Sequence, residues 1–250
     1  MDSAAALFKL LETVTVDCKD DGEKFTVTDR LSVIETLLAD SPYEPLAREP
    51  LALLYARRKP SNGDSVVLLS SHIDTVYSAH FCTDEGDCLR GTFDNSFGNA
   101  AALWCMLNNL LPDNVVVAFT GDEEQGSQGA REALAALEGM GVGVSAVIVQ
   151  DVTNVGWNSG ALFTVENDFG FDIFTAYSIV SELEPYSGRF AFCHNAEPDE
   201  SWLYAEYALP CLTLCVPVGG ELHSDRGVRL RKMAALEYCN ALYILARVLC

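Results

Sequence analysis

Basic residues are scarce. Sixteen Lys and Arg stand against 36 Asp and Glu, a formal net charge of −20 over 250 residues. Nucleic acid and anionic lipid surfaces both demand a basic footprint, so neither is an expected partner. No run of about 18 apolar residues is free of charge, which excludes an expected membrane-spanning helix. The longest apolar region, near Leu236 to Cys250, is cut by Glu237, Asn240 and Arg247. The first thirty residues hold no apolar stretch flanked by basic ones, so no secretory signal is expected. Nine cysteines include no Cys-x-x-Cys pair. Their odd count and scattered spacing fit reduced, mostly buried thiols in a cytoplasmic protein better than a disulfide framework. No internal repeat, low-complexity tract or Pro/Ser-rich linker divides the chain. What is present is apolar: 49% hydrophobic against 21% charged residues excludes intrinsic disorder. The length suits one domain with a sizeable core.

Helical periodicity is read over residues 7–14, 29–39, 97–110, 128–138, 199–207 and 230–249. Short apolar runs predict strands over 66–70, 115–119, 146–149 and 212–216, with further strands at 162–165 and 171–179. The first 60 residues carry no motif and are assigned to a covering layer. Buried strands alternating with helices predict an α/β fold of three layers, α/β/α, around a mostly parallel sheet. Residues 1–250 read as a single domain.

In such a sheet, functional residues gather beyond the carboxyl ends of the strands. After the first core strand comes Ser71-His72-Ile73-Asp74, and after the second Thr120-Gly121-Asp122-Glu123-Glu124. Gln150-Asp151 follows the third, and Pro217 to Glu221, then His223, follows the late one. Between the first two strands, Gly91-Thr92-Phe93-Asp94-Asn95 leads into a helix. Each has an ordinary explanation: a hydrogen-bonded histidine, a helix cap at Asp94, a solvated acidic pair, a strand-end aspartate. Together they are less ordinary, because four or five converging carboxylates repel unless positive charge sits among them. Imidazole and carboxylate without thiolate suit catalytic zinc, or cobalt or manganese.

These segments resemble the co-catalytic zinc exopeptidases, which include the di-zinc aminopeptidases and the carboxypeptidase/aminoacylase group. The resemblance rests on Ser71-His72-Ile73-Asp74-Thr75-Val76, Gly91-Thr92-Phe93-Asp94-Asn95, Glu123-Glu124-Gln125-Gly126, Gln150-Asp151 and Leu222-His223-Ser224, in one order from about residue 65 to 225. It implies two divalent metal ions, zinc before cobalt or manganese. His72 and Asp151 would hold one, Glu124 and His223 the other, and Asp94 would bridge them. Asp74 would steady the site without binding metal, and Glu123 would be the general base and later the acid. The implied reaction is hydrolysis of a peptide bond by an exopeptidase, an aminopeptidase ahead of a dipeptidase or carboxypeptidase. Alternatives on the same scaffold are N-acyl amino acid deacylation, glutaminyl cyclisation and a catalytically silent binding protein.

The layout departs from the lidded members. Only 72 positions separate Asp151 from His223, and only 22 separate His72 from Asp94. Neither interval has room for an inserted lid or dimerisation domain beside the remaining core elements. A bare catalytic domain must build its specificity pocket from its own loops or from another subunit, so a homo-oligomer is one expectation. His80, Cys82 and Cys88 form a conceivable third metal site or a flexible loop. His194, beside Cys193, faces substrate or is structural. Arg189, Arg226 and Arg229 are candidate anchors for a substrate carboxylate, Arg226 first. Phe163, Phe169 and Trp157 line a pocket or the core, Cys211 and Cys215 read as core, and Asp199 reads as a helix N-cap.

Overall fold

The computed structural model describes residues 3–16, 28–194 and 196–250. In chain order the elements are α1 (Ser3–Val16), α2 (Thr28–Leu38), β1 (Glu44–Arg48), β2 (Ala52–Ala56), β3 (Ser65–His72), β4 (Cys82–Asp84), β5 (Cys88–Gly91) and α3 (Ser96–Leu107). Then come β6 (Val115–Thr120), α4 (Gln128–Gly139), β7 (Gly143–Thr153), β8 (Phe163–Phe169), α5 (Ile173–Glu182), β9 (Phe190–Cys193), α6 (Glu200–Glu206), β10 (Cys211–Gly219), β11 (Val228–Arg231) and α7 (Lys232–Leu249).

The expected layers are present. Strands β6, β3, β7 and β10 are adjacent and parallel. Their runs are apolar throughout because both faces are covered, and alternate residues serve different layers. Val67 and Leu69 of β3 join Val117, Phe119 and Ile148 under α1, α2, α3 and α7. Val66 and Leu68 join Val116, Ala118 and Val147 under α4 and α6.

Three expectations are corrected. Residues 171–179 are not a strand: α5 begins at Ile173, because the Asp172 carboxylate accepts hydrogen bonds from the backbone N–H of Phe174 and Thr175. That cap overrides the aromatic and β-branched content that suggested a strand. The first 60 residues do more than cover the sheet. β1 and β2 extend it beyond β6 in antiparallel register, with Leu53 opposite Phe119. Leu230 is in β11 and not α7, pairing with Val218 and with Leu89 in a small antiparallel extension made by β11, β5 and β4.

Candidate metal centre

All four parallel strands end at one edge of the sheet. His72 is the last residue of β3. β6 ends at Thr120 and runs through Gly121 into the turn that carries Glu123 and Glu124. Asp151 lies near the end of β7, and His223 follows β10. Asp94 lies just before α3. The cap of that helix is Asn95, whose Oδ1 accepts from the Gly98 N–H at 3.0 Å, so Asp94 is left to face the edge.

The six acidic and imidazole groups converge. His72 Nε2 lies 3.2 Å from Asp94 Oδ1 and 3.6 Å from Asp151 Oδ1. His223 Nε2 lies 3.1 Å from Asp94 Oδ2 and 3.8 Å from Glu124 Oε2. The two oxygens of Asp94 therefore serve two different ligand pairs. Three groups have ligand atoms within 4.8 Å of one another: His72, Asp94, Asp151; Asp94, Glu124, His223; and His72, Glu123, Glu124. Asp74 is wholly buried. Its two oxygens accept from the backbone N–H of Glu123 and of Glu124, each at 3.2 Å, and Oδ1 lies 3.5 Å from His72 Nδ1.

The protonation preferences of these groups show a site short of positive charge. Burial would push the His72 imidazole down, but the carboxylates of Asp151, Asp74 and Asp94 reverse this and hold it well above the ordinary histidine value. The hydrogen bond to Asp94 raises His223 in the same way. Burial would raise Asp94, but hydrogen bonds from His223 and His72 outweigh it and hold Asp94 below the usual carboxylate range. Desolvation raises Glu123 to about 9, Glu124 to about 7 and Asp151 to about 6. Left to itself, the cluster takes up protons to offset its own charge.

The donor set fits divalent metal. Donors 2.0–2.2 Å from a tetrahedral centre lie about 3.3–3.6 Å apart, near the separations around His72 and His223. Glu124 Oε1 is buried without a hydrogen-bond partner, and an orphaned carboxylate oxygen at such a place is suited to a cation. The ligand types, imidazole and carboxylate, suit zinc.

The remaining candidates do not join this cluster. Among the described residues His80, Cys82 and Cys88 form no ligand group. His194 hydrogen-bonds Asp168 and follows Cys193, which pairs through Glu166 with Thr213 near the start of β10, at the opposite end of the sheet. Arg229 is bound to Glu85 at 2.8 Å, and Arg226 gives its carbonyl to Arg90. Phe163, Cys211 and Cys215 are core. Trp157 lies under the Arg231 guanidinium, 3.8 Å from its ring centre. Asp199 caps α6 as expected, accepting from the Ser201 N–H at 2.8 Å.

Sequence reasoning missed the groups that hold the ligands in place. Asn99 Nδ2 donates to the His72 carbonyl at 3.0 Å and to the Asn95 carbonyl at 2.9 Å, and Asn95 Nδ2 donates to the Gln150 carbonyl at 2.6 Å. Arg30, buried in α2, donates to the Ile73 carbonyl at 2.6 Å. The asparagines had a signal, since both lie within five residues of Asp94. Arg30 had none, because its partner is 43 residues away.

A parallel α/β sheet whose carboxyl edge gathers two imidazoles and four carboxylates around one shared aspartate defines a metallohydrolase of the zinc-exopeptidase fold. The chain belongs to peptidase family M28, whose model matches residues 54–178. That span carries every ligand candidate except His223. No curated protein matches the chain. Among solved structures, a TET aminopeptidase from the marine sediment archaeon Thaumarchaeota archaeon SCGC AB-539-E09 is 10% identical, with a TM-score of 0.74 over 97% of this chain and 96% of that one. Aminopeptidase PepT from Bacillus cereus is 12% identical, TM-score 0.68, over 98% of each chain. The Legionella pneumophila LapA aminopeptidase is 14% identical, TM-score 0.66, over 97% of this chain and 70% of that one. At these identities the likeness speaks for the fold. No helix among the described residues is long and apolar enough to cross a membrane.

Proposed function

We propose that this peptidase is a two-metal aminopeptidase, with zinc as the first candidate ion. The observation that carries the reading is the Asp94 carboxylate, whose Oδ1 lies beside His72, the neighbour of Asp151, while Oδ2 lies beside His223, the neighbour of Glu124. A shared carboxylate between two such pairs is what a bridged pair of cations requires. His72 and Asp151 would hold one ion, Glu124 and His223 the other. Bound divalent ions supply Lewis acidity, which lowers the pKa of water from about 16 towards about 7 and polarises a carbonyl.

The chain's own groups do the rest. Glu123 shares a ligand-range group with His72 and Glu124 yet belongs to neither pair around Asp94, which leaves its carboxylate to move protons. With bound cations supplying the positive charge the cluster lacks, it is held ionised, and it takes one proton from the attacking water as the oxygen bonds to the peptide carbonyl carbon. It returns that proton to the amine as the C–N bond breaks. Asp74 holds both backbone N–H groups of the acidic pair and so sets the direction in which each side chain leaves. The described chain supports a single catalytic domain without a lid, since the interval from β7 to β10 is taken up by β8, α5, β9 and α6. The described cysteines are free thiols, which supports a cytoplasmic setting.

Metal analysis of zinc-loaded protein should give about two ions per chain, falling sharply in Asp94→Ala. Glu123→Gln should keep its metal and lose about 10²–10⁴-fold in kcat. Peptides with a free amino terminus should be cleaved and their N-acetylated counterparts spared. One ion or none in the folded wild-type protein would overturn the two-metal reading. Hydrolysis of the N-acyl peptides alone would replace the aminopeptidase with a deacylase.

A further inference from the structure

Away from the metal centre, one face of the molecule is apolar where the rest is acidic. Ile173, Phe174, Tyr177 and Val180 of α5 are 78%, 82%, 74% and 50% exposed, and Phe192 of β9 is 36% exposed. Positions 173, 177 and 180 follow the i, i+4, i+7 spacing of a packing stripe. The opposite side of the helix is occupied, since Ile179 is buried in the core. Between Ile173 and Ser181 there is no charged residue. α5 and β9 belong to one surface, because Ala176, Val180, Phe192 and His194 line a common cavity of about 190 Å³.

The same surface ends in an open strand. Among the described residues β9 pairs only with β8. Within the described residues no strand pairs with its outer edge, which lies beside apolar side chains, a combination that natural sheets normally cover or charge.

We infer that this face binds a second copy of the chain. The two β9 edges would meet antiparallel across a two-fold axis, and the two α5 stripes would pack against each other on one side of the joined sheet. Three features favour a second copy over another occupant. An edge strand satisfies itself when it meets its own two-fold mate, and the flanking helix is then brought to its own mate by the same rotation. A chain of net charge −20 repels its copies least across the uncharged stretch 173–181, where the nearby Asp168 is hydrogen-bonded to His194. The area also suffices. At about 150–250 Å² per aromatic side chain, the five exposed residues present on the order of 600 Å² per copy. Two copies then cover on the order of 1,200 Å², where specific interfaces begin.

The test is sedimentation velocity of the full-length chain at tens of micromolar, with Tyr177→Asp and Tyr177→Lys variants alone and mixed. Tyr177 is exposed, so neither change threatens folding. The wild type should be a dimer, more so at about 300 mM salt than at about 20 mM, because screening weakens the repulsion between acidic copies. Each variant alone should be a monomer, and the equimolar mixture should recover the dimer, since only two copies facing each other through α5 bring Asp to Lys. A monomeric wild type overturns the inference and leaves the face to a partner of other sequence. A dimer that both variants keep places the interface elsewhere and overturns it equally. Metal content and peptidase rate of the variants should match the wild type, so the outcome is independent of the catalytic assignment.

Discussion

Replacing Asp74 by alanine tests whether the site depends on a residue that binds no metal. Asp74, itself out of contact with solvent, accepts from the N–H groups of half-buried Glu123 and Glu124 at 3.2 Å each and lies 3.5 Å from His72 Nδ1. A hydrogen bond to a charged group is worth about 1.5–3 kcal/mol. Losing two leaves two backbone donors stranded, a cost of about 3–6 kcal/mol. For a domain of this size 1 kcal/mol moves the melting temperature by about 2–4 °C, so a fall on the order of 10 °C is expected. Function should fall further than stability. The turn bearing Glu123 and Glu124 loses its anchor, and a displacement of about 1 Å at a reacting group costs about 10²-fold in rate. The orientation of His72 is loosened as well, and such supporting groups are worth about 10–100-fold in metal affinity. Asp74→Asn, which keeps one acceptor oxygen and turns an NH₂ towards the second donor, should fall between alanine and wild type. Thermal melting in saturating zinc, metal affinity by chelator competition and kcat on a dipeptide amide measure the three effects. An Asp74→Ala protein within two-fold of wild type in kcat, with an unshifted melting temperature, would refute the reasoning.

Two further outcomes follow from the same geometry. In the metal-free protein burial raises Glu124 to about 7 and Asp151 to about 6. A carboxyl raised on folding stabilises fully below its unfolded pKa, near 4, and that contribution is lost as pH rises through the folded value. Asp94, held low by the histidines, runs the other way. Metal needs the ligands deprotonated, so it restores what the apo protein loses, and the zinc-induced rise in melting temperature should grow from about pH 5 to about pH 8. A rise independent of pH would count against Glu124 and Asp151 as ligands. Separately, Gly129→Ala should destabilise by about 1–3 kcal/mol and lower kcat. A Cβ there would meet the Leu51 carbonyl oxygen at 2.3 Å and the Gly121 nitrogen at 2.4 Å, both backbone. The Gly129 N–H also ties α4 to the Gly121 carbonyl at 2.9 Å, just before the acidic turn. Unchanged melting and kcat would show that the turn is not held through this approach.

The parallel core was legible because burial on both faces writes the same apolar run into β3, β6, β7 and β10, and hairpin-like alternation is absent from them. The sheet margins were less so. β1 holds exposed, half-buried and charged residues, Glu44 and Arg48 among them, and carries no run long enough to distinguish it from loop. α5 was misread for a related reason. Ile, Phe, Thr, Tyr and Val on an exposed helix follow the demands of a surface that needs apolar contact, and they imitate the composition of a strand. The Asp172 cap was present in the sequence, but a single capping residue competes poorly with seven apolar neighbours when only local pattern is weighed.

At the metal centre the order of the motifs was visible and their support was not. His72, Asp94, Glu123, Glu124, Asp151 and His223 converge because four parallel strands share one carboxyl edge, so motif order plus fold implies a common place. What keeps Asp94 free for it is a division of labour between neighbours. Either Asp94 or Asn95 has a side chain able to cap α3, and the sequence alone leaves the choice open. Asn95 takes the cap, and its amide also donates to the Gln150 carbonyl beside Asp151. An aspartate at 95 could accept from the Gly98 N–H but could not donate to that carbonyl, and it would add a further negative charge to a cluster already short of cations. Asparagine is the side chain that satisfies both constraints at once, which leaves both oxygens of Asp94 to the two histidine pairs.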